Sequence, residues 1–185
     1  RSLLQSKGWT LNEAKVQKLL KKLSQEGIPL GEYVDGQIFR GVLTGLNEAF
    51  VIDAETREKL IDEDPKSEEI IKPFLAGRDI KRYQKPQSDK YLIFARRGIE
   101  IEKYPAILKY LEQFKERLMP KPKNFQGNKW KGRKPGSYEW YEIQDAVDYY
   151  EEFEKEKIML PAIVKSASAS LDKKGFLGND KTTII

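Results

Sequence analysis

No cysteine and no histidine occur in the 185 residues. The first absence excludes disulfides and thiolate metal sites. The second removes the commonest general base, the usual partner of a Ser or Cys nucleophile, and the commonest metal ligand. Catalysis would have to run on carboxylates, Lys or Tyr alone, which weighs against a hydrolase or a zinc site. No run of about 18 apolar residues is present, so no segment reads as a membrane span. No signal-peptide pattern opens the chain. The glycine-rich nucleotide motifs, GxGxxG and GxxxxGK followed by Ser or Thr, are also missing. The chain starts at Arg1 without Met and stops at KTTII inside a strand-like run. It therefore reads as a piece of a longer protein, with the cytoplasm as the default compartment.

What the chain does have is unevenly placed positive charge. Residues 115–135, KERLMPKPKNFQGNKWKGRKP, hold eight Lys/Arg against one acid, a net of +7. The whole chain carries +5, so everything outside this stretch sums to −2 (5 − 7). Pro and Gly break the stretch, and Phe125 and Trp130 sit inside it. This combination predicts a loop that meets a polyanion. Lys and Arg neutralise phosphates and release counterions. An aromatic among them can stack on a base or wedge a groove. Asn124, Gln126 and Asn128 offer the amide edge that reads adenine in the major groove. The bland alternative is a solvated charged surface. A membrane surface is disfavoured because no amphipathic helix accompanies the loop.

A hydrophobic fraction of 39% with 11% aromatics is enough for a core. Residues 10–25 read as a helix, with Thr10 and Glu13 as a capping box and Leu11, Ala14, Leu19, Leu20 and Leu23 as its apolar face. Tyr33-Val34, the Asp35-Gly36 turn and residues 37–43 read as a hairpin. A turn at Thr44-Gly45 precedes the apolar run 49–52. Asp53 caps a short helix over 54–61, and Asp64-Pro65 opens another. Residues 79–83 read as a strand that pairs with 90–97. A long helix spans 104–118, ended by Pro120 and Pro122. Residues 145–156 read as an acidic helix, and 157–164 as a strand with Pro161 at an edge or bulge. A turn at 172–175 and a strand from Lys181 finish the chain. The fold class is α+β: a mixed, mainly antiparallel sheet with three or four peripheral helices and a long basic loop.

A second basic cluster holds Arg78, Lys81, Arg82 and Lys85, with Arg96 and Arg97 on the expected partner strand. Strand alternation would place some of them on one face. Arg78-Asp79 reads equally well as an internal ion pair holding a turn. The carboxylates at Asp62, Glu63 and Asp64 read as caps, and those at Asp145, Asp148, Glu151 and Glu152 as a solvated helix face. No set of acids converges with a Lys as a Mg-dependent nuclease requires.

The blocks GVLTGLNEAFVID, LIDEDPKSEEIIKPFLAGRDIKRY, YLIF, YPAILKYLEQFKERL, WYEIQDAVDYYEEFEKEKIMLPAI and GNDKTTII follow in that order from about Tyr33 to Ile185. In this the chain resembles the TaqI-like C-terminal specificity domains, the target recognition domains of type IIG-like restriction–modification methyltransferases. The GxxTGxNEAF and KPFxxGRDI blocks are the most specific. The resemblance implies a non-catalytic reader of duplex DNA. It would follow a methyltransferase domain that uses S-adenosylmethionine to methylate a flipped-out adenine. That domain's Asn-Pro-Pro-Tyr type motif is absent here. No cofactor is expected in this stretch; the parent would need S-adenosylmethionine, and Mg if it also cleaves DNA. Gly41, Gly45, Asn47 and Phe50 match the first signature, and Pro73, Gly77, Arg78 and Asp79 the second. A shared signature cannot encode differing target sites, so these read as scaffold around the DNA face. The readers then belong in variable loops, residues 125–135 first and 84–89 next.

The resulting expectation has two parts. Residues 1–30 form a helical linker or packing segment, and 31–185 form the DNA target recognition domain. Lys121, Lys123, Lys129, Lys131, Arg133 and Lys134 would contact phosphates, with Trp130 and Asn124 as base or groove contacts. Arg78, Lys81 and Arg82 would form a second backbone site. Partners would be double-stranded DNA and the upstream methyltransferase domain, with no membrane. The competing readings are a protein-interaction domain and a non-specific nucleic-acid binder, single-stranded or RNA.

Overall fold

A computed structural model describes residues 13–185, together with the backbone of Leu4–Gln5 and Gly8–Trp9. The chain divides into two units, Arg1–Ile38 and Phe39–Ile185. In the first, β1 (Leu4–Gln5) pairs antiparallel with β2 (Gly8–Trp9). Helix α1 (Ala14–Glu26) follows, and Gly27 closes it by donating its N–H to the Leu23 carbonyl at 2.9 Å. Thr10 and Leu11, half of the expected cap and the start of the expected face, lie outside the described residues. Glu13 precedes the helix without a side-chain cap. Leu19, Leu20 and Leu23 share a face at helical spacing, and all three are exposed.

The expected hairpin at Tyr33-Val34 is corrected. Leu30–Tyr33 is a helical turn, α2, and only the turn at Asp35 and Gly36 stands, with φ of 51° and 75°. Pro29 explains the change. Its fixed φ starts a helix, and its carbonyl accepts from Glu32 and Tyr33, both at 3.0 Å.

The second unit holds β3 (Phe39–Arg40), α3 (Asn47–Phe50), β4 (Val51–Asp53), α4 (Ala54–Glu63), β5 (Ile71–Leu75) and β6 (Lys90–Ile93). Helices α5 (Pro105–Glu112) and α6 (Lys115–Leu118) follow, then β7 (Lys157–Pro161), β8 (Ser170–Asp172), β9 (Leu177–Gly178) and β10 (Thr182–Ile184). Tight 3-10 turns stand at Pro65–Glu69, Gly77–Asp79, Ile101–Lys103 and Tyr150–Phe153. Both expected caps form: Asp53 accepts from the Thr56 N–H at 2.8 Å and Asp64 from the Lys66 N–H at 3.2 Å.

The strands of the second unit make two sheets rather than one. The first runs β3-β10-β7-β8 and is antiparallel throughout. The second runs β4-β6-β5-β9, antiparallel except for the parallel β5-β9 pair. The architecture is α+β. Phe50, Leu75, Leu92, Ile93, Ile107, Leu111 and Met159 are buried in its core. An ion pair is buried there too: Lys157 meets Asp172 at 2.5 Å across β7 and β8. Asp172 also accepts from the Lys174 and Phe176 N–H groups at 2.8 Å each, which fixes the turn into β9. Among the described residues no helix is long and apolar enough to cross a membrane.

Three expected elements are corrected. The partner of β6 is not 79–83 but β5, with Lys72 opposite Leu92. Pro73 is tolerated inside that strand because β9 begins only opposite Phe74, so no neighbour on that side needs a donor from Pro73. The helix over 104–118 is interrupted at Gln113 and Phe114, although its apolar residues still point inward. The acidic helix over 145–156 reduces to the turn at Tyr150–Phe153. Val147 takes a φ of 47°, and Asp145 is drawn to Arg40 at 2.8 Å.

Candidate nucleic-acid interface

The basic loop starts where Pro120 ends α6. Its two ends are zipped together: Arg133 donates its N–H to the Met119 carbonyl at 3.0 Å, and Lys121 donates to the Arg133 carbonyl at 3.1 Å. Between them the chain packs on itself. Phe125 and Trp130 meet edge to face at 5.1 Å, and the Trp130 indole N–H donates to the Met119 carbonyl at 3.2 Å. The Lys121 ammonium lies 5.4 Å from the Phe125 ring centre. A loop with its own small core is preorganised, so it orders less on binding.

Lys121, Lys123, Asn124, Lys129, Lys131 and Lys134 are exposed on this loop, and Trp130 is half-buried. Lys131 pairs with Glu116 at 3.1 Å, a solvent-screened contact that a phosphate can displace. Arg133 is the exception and a correction. It is only 4% exposed. Its Nε donates to the Leu118 carbonyl (2.7 Å), Nη1 to Thr44 (2.9 Å) and Glu142 (2.7 Å), and Nη2 to Glu139 (3.2 Å) and Trp140 (2.9 Å). A guanidinium has five N–H donors, so none is left for a phosphate. Burial pushes its pKa down to about 10, which leaves it charged at neutral pH. Arg133 shapes the loop from inside.

The first signature block explains itself around this residue. Gly45 holds a φ of 80°, and a Cβ there would lie 2.6 Å from the Arg133 Cδ. The Thr44 hydroxyl donates to Asn47 Oδ1 at 2.7 Å, and the Phe50 ring lies under the guanidinium at 5.7 Å. A Cβ on Gly41 would meet the Asn179 carbonyl at 2.0 Å. These residues are scaffold. Their glycines abut protein atoms, so they do not fit a cofactor's phosphate.

The second basic segment is built differently. Arg78 is 77% exposed and only 4.0 Å from Asp79, at the limit of an ion pair. Lys81, Arg82 and Lys85 are exposed on irregular chain, so no strand alternation sorts them. Arg82 covers the ring of Tyr83 at 4.7 Å and donates to its hydroxyl at 2.7 Å. Tyr83 itself is 88% exposed and has a φ of 61°.

A groove of about 530 Å³ opens beside Arg78. Arg78, Lys90 and Lys181 line it, with the amides of Asn47 and Asn179. Glu48 lies at its edge and accepts from Arg117 of α6 at 2.6 Å. That hydrogen bond holds the Glu48 carboxyl below its usual range and raises the Arg117 pKa. The groove therefore abuts the helix from which the basic loop departs. Lys90, Lys181 and Ile163, exposed in the β7–β8 connection, were not singled out by sequence reasoning. Only their pairing partners, far along the chain, place them here. Among the described residues no cluster of acids could hold a metal ion.

Comparison with known proteins gives two findings. The model of the TaqI-like C-terminal specificity domain matches residues 72–185, so the GxxTGxNEAF block lies ahead of the matched stretch. Among solved structures, the type IIL restriction-modification enzyme MmeI in complex with DNA is similar at 14% identity and a TM-score of 0.48. That likeness covers 80% of this chain, which spans 19% of the length of MmeI. No curated protein matches. With more than half of its residues under the family model, the chain belongs to the TaqI-like C-terminal specificity domains.

Proposed function

We propose that this chain reads a specific duplex DNA sequence for a restriction–modification enzyme that methylates adenine. The observation that carries the reading is the self-packed loop at 120–133. It presents Lys121, Lys123, Lys129 and Lys131 on a fixed frame, within a stretch (115–135) outside which the chain's charge sums to −2. Family membership supplies the class. Lysines on the loop, with Lys134 beyond it, grip phosphates, and Asn124 and Trp130 reach the groove. Arg78, Lys81 and Arg82 hold the backbone again across the groove lined by Lys90 and Lys181.

The chain does no chemistry of its own in this reading. S-adenosylmethionine, and Mg if the parent cleaves DNA, would be held by other domains of the same cytoplasmic polypeptide, an adjoining methyltransferase among them. The side chains here do not fit either group, and no step is assigned to them. The test is a competition at fixed salt between matched duplex and single-stranded DNA, followed by fluorescence anisotropy. Duplex preference, lost in a Lys129→Gln/Lys131→Gln variant, supports the reading. Equal binding of single strands sinks it.

A second reading draws on the exposed Leu19, Leu20 and Leu23 of α1. An apolar helix face of this kind suits a protein partner. Full DNA affinity in loop variants, with loss of a bound protein in a Leu20→Lys variant, would favour it.

A further inference from the structure

A separate cleft of about 560 Å³ opens where β5 and the chain leaving β6 face the β8–β9 turn, and none of the proposed DNA-contacting side chains lines it. Its volume suits a small ligand. Lys72, Arg96, Lys173 and Lys174 line it against two carboxylates, Glu69 and Glu154. Glu69 is engaged by the Tyr104 hydroxyl at 2.9 Å, and Lys173 pairs with Glu156 at 3.0 Å.

The other cations are uncommitted. The Arg96 guanidinium lies 3.5 Å from the Tyr150 ring centre and 5.8 Å from that of Phe94. Those rings hold its plane, yet none of its N–H groups meets an acceptor among the described residues. Arg133 shows the contrast, with every donor filled by a carbonyl. The half-buried Lys72 and the exposed Lys174 ammonium also lack an acceptor among the described residues. A planar fork fixed in orientation and left open is the geometry that takes a tetrahedral oxyanion through two parallel hydrogen bonds. Flanking ammonium groups add the point charge that a phosphate needs.

We infer that this cleft is a phosphate-binding site, with Arg96 as the fork and Lys72 and Lys174 as the flanking charges. The phosphate comes either from a DNA strand or from solution. The DNA source is sterically reasonable. Lys173 and Lys174 also line the neighbouring depression with Tyr83 and Lys85, which leads on to Lys81 and Lys90. The inference does not depend on the DNA reading.

The test titrates inorganic phosphate into the full isotope-labelled chain and follows the backbone amide resonances of Lys173, Lys174 and Gly175, which line the cleft and persist in every variant. A saturable shift is expected. It should weaken at least tenfold in the Lys72→Gln/Arg96→Gln variant, and measurably in Lys174→Gln, whose exposed side chain carries no fold. Arg96→Lys keeps the charge without the fork and should not restore affinity. Adding duplex DNA separates the sources. Displacement of phosphate identifies the DNA backbone, whereas simultaneous binding identifies a soluble phosphate. A shift with no DNA binding at all would retain this site and remove the DNA reading. Absence of a saturable shift in the folded wild-type chain overturns the inference, as does an equal shift in the variants.

Discussion

The loop at 120–133 and the segment at 77–89 carry the same sign of charge and are held in place by different means. The loop is tied at its neck by Arg133, which reaches the carbonyl of Thr44 and those of Glu139, Trp140 and Glu142. Its exposed lysines stand on a frame made by the half-buried aromatic pair and the buried guanidinium. The segment at 77–89 is held instead by the tight turn at Gly77–Asp79, by buried Ile80 and Pro86, and by the Ser170 hydroxyl, which donates to the Gln84 carbonyl at 2.6 Å, while its cations stay on the surface. A cation in a basic run can thus be a contact or a rivet, and burial with filled donors separates the two.

The largest expected effect falls on the rivet. Arg133→Met leaves several buried carbonyls bare, and each costs about 1–3 kcal/mol, so urea unfolding should lose at least about 3 kcal/mol. Arg133→Lys should recover only part of it, having three donors for five acceptors. A loss below about 1 kcal/mol would erase the distinction between the two regions. Next, Lys121→Gln/Lys129→Gln/Lys131→Gln should leave stability within about 0.5 kcal/mol of wild type. The salt slope of DNA binding should fall by about 0.9 for each phosphate that the chain no longer neutralises. Arg78→Gln/Lys81→Gln/Arg82→Gln should also lower the slope, and by less, because Asp79 and Asp89 offset part of that segment's charge. A larger fall there would make the segment, not the loop, the principal grip.

The smallest effect is a flat profile. Burial lowers the Arg133 pKa to about 10 in the folded chain. The folded state therefore binds fewer protons than the unfolded one only from about pH 10 up to the ordinary guanidinium range, and this group adds stability as pH rises through that window. Below about pH 9 it is charged in both states and contributes no slope. With no histidine or cysteine to titrate, DNA affinity at fixed salt should not change between about pH 6 and 8.5. A step in that range would require a titrating group outside the loop and groove described above.

Much of the local structure was legible because its causes are local. Asp53 and Asp64 cap the helices they precede, and Asp35-Gly36 turns as its residue types require. The loop's charge and aromatics were plain from composition. Arg133 was not, since nothing near it distinguishes it from Lys131 or Lys134. Its partner Thr44 is 89 residues away. The strand at Ile71–Leu75 was hidden by Pro73, which only the late start of β9 makes tolerable. Lys90 and Lys181 joined the groove through strand pairing that no local pattern encodes.

The most direct test of sequence-specific duplex recognition is selection of the full chain on a random duplex pool at moderate salt, followed by sequencing. Enrichment of a short motif containing an adenine is the predicted result. Binding without any enriched motif, or no binding even at low salt, would contradict it.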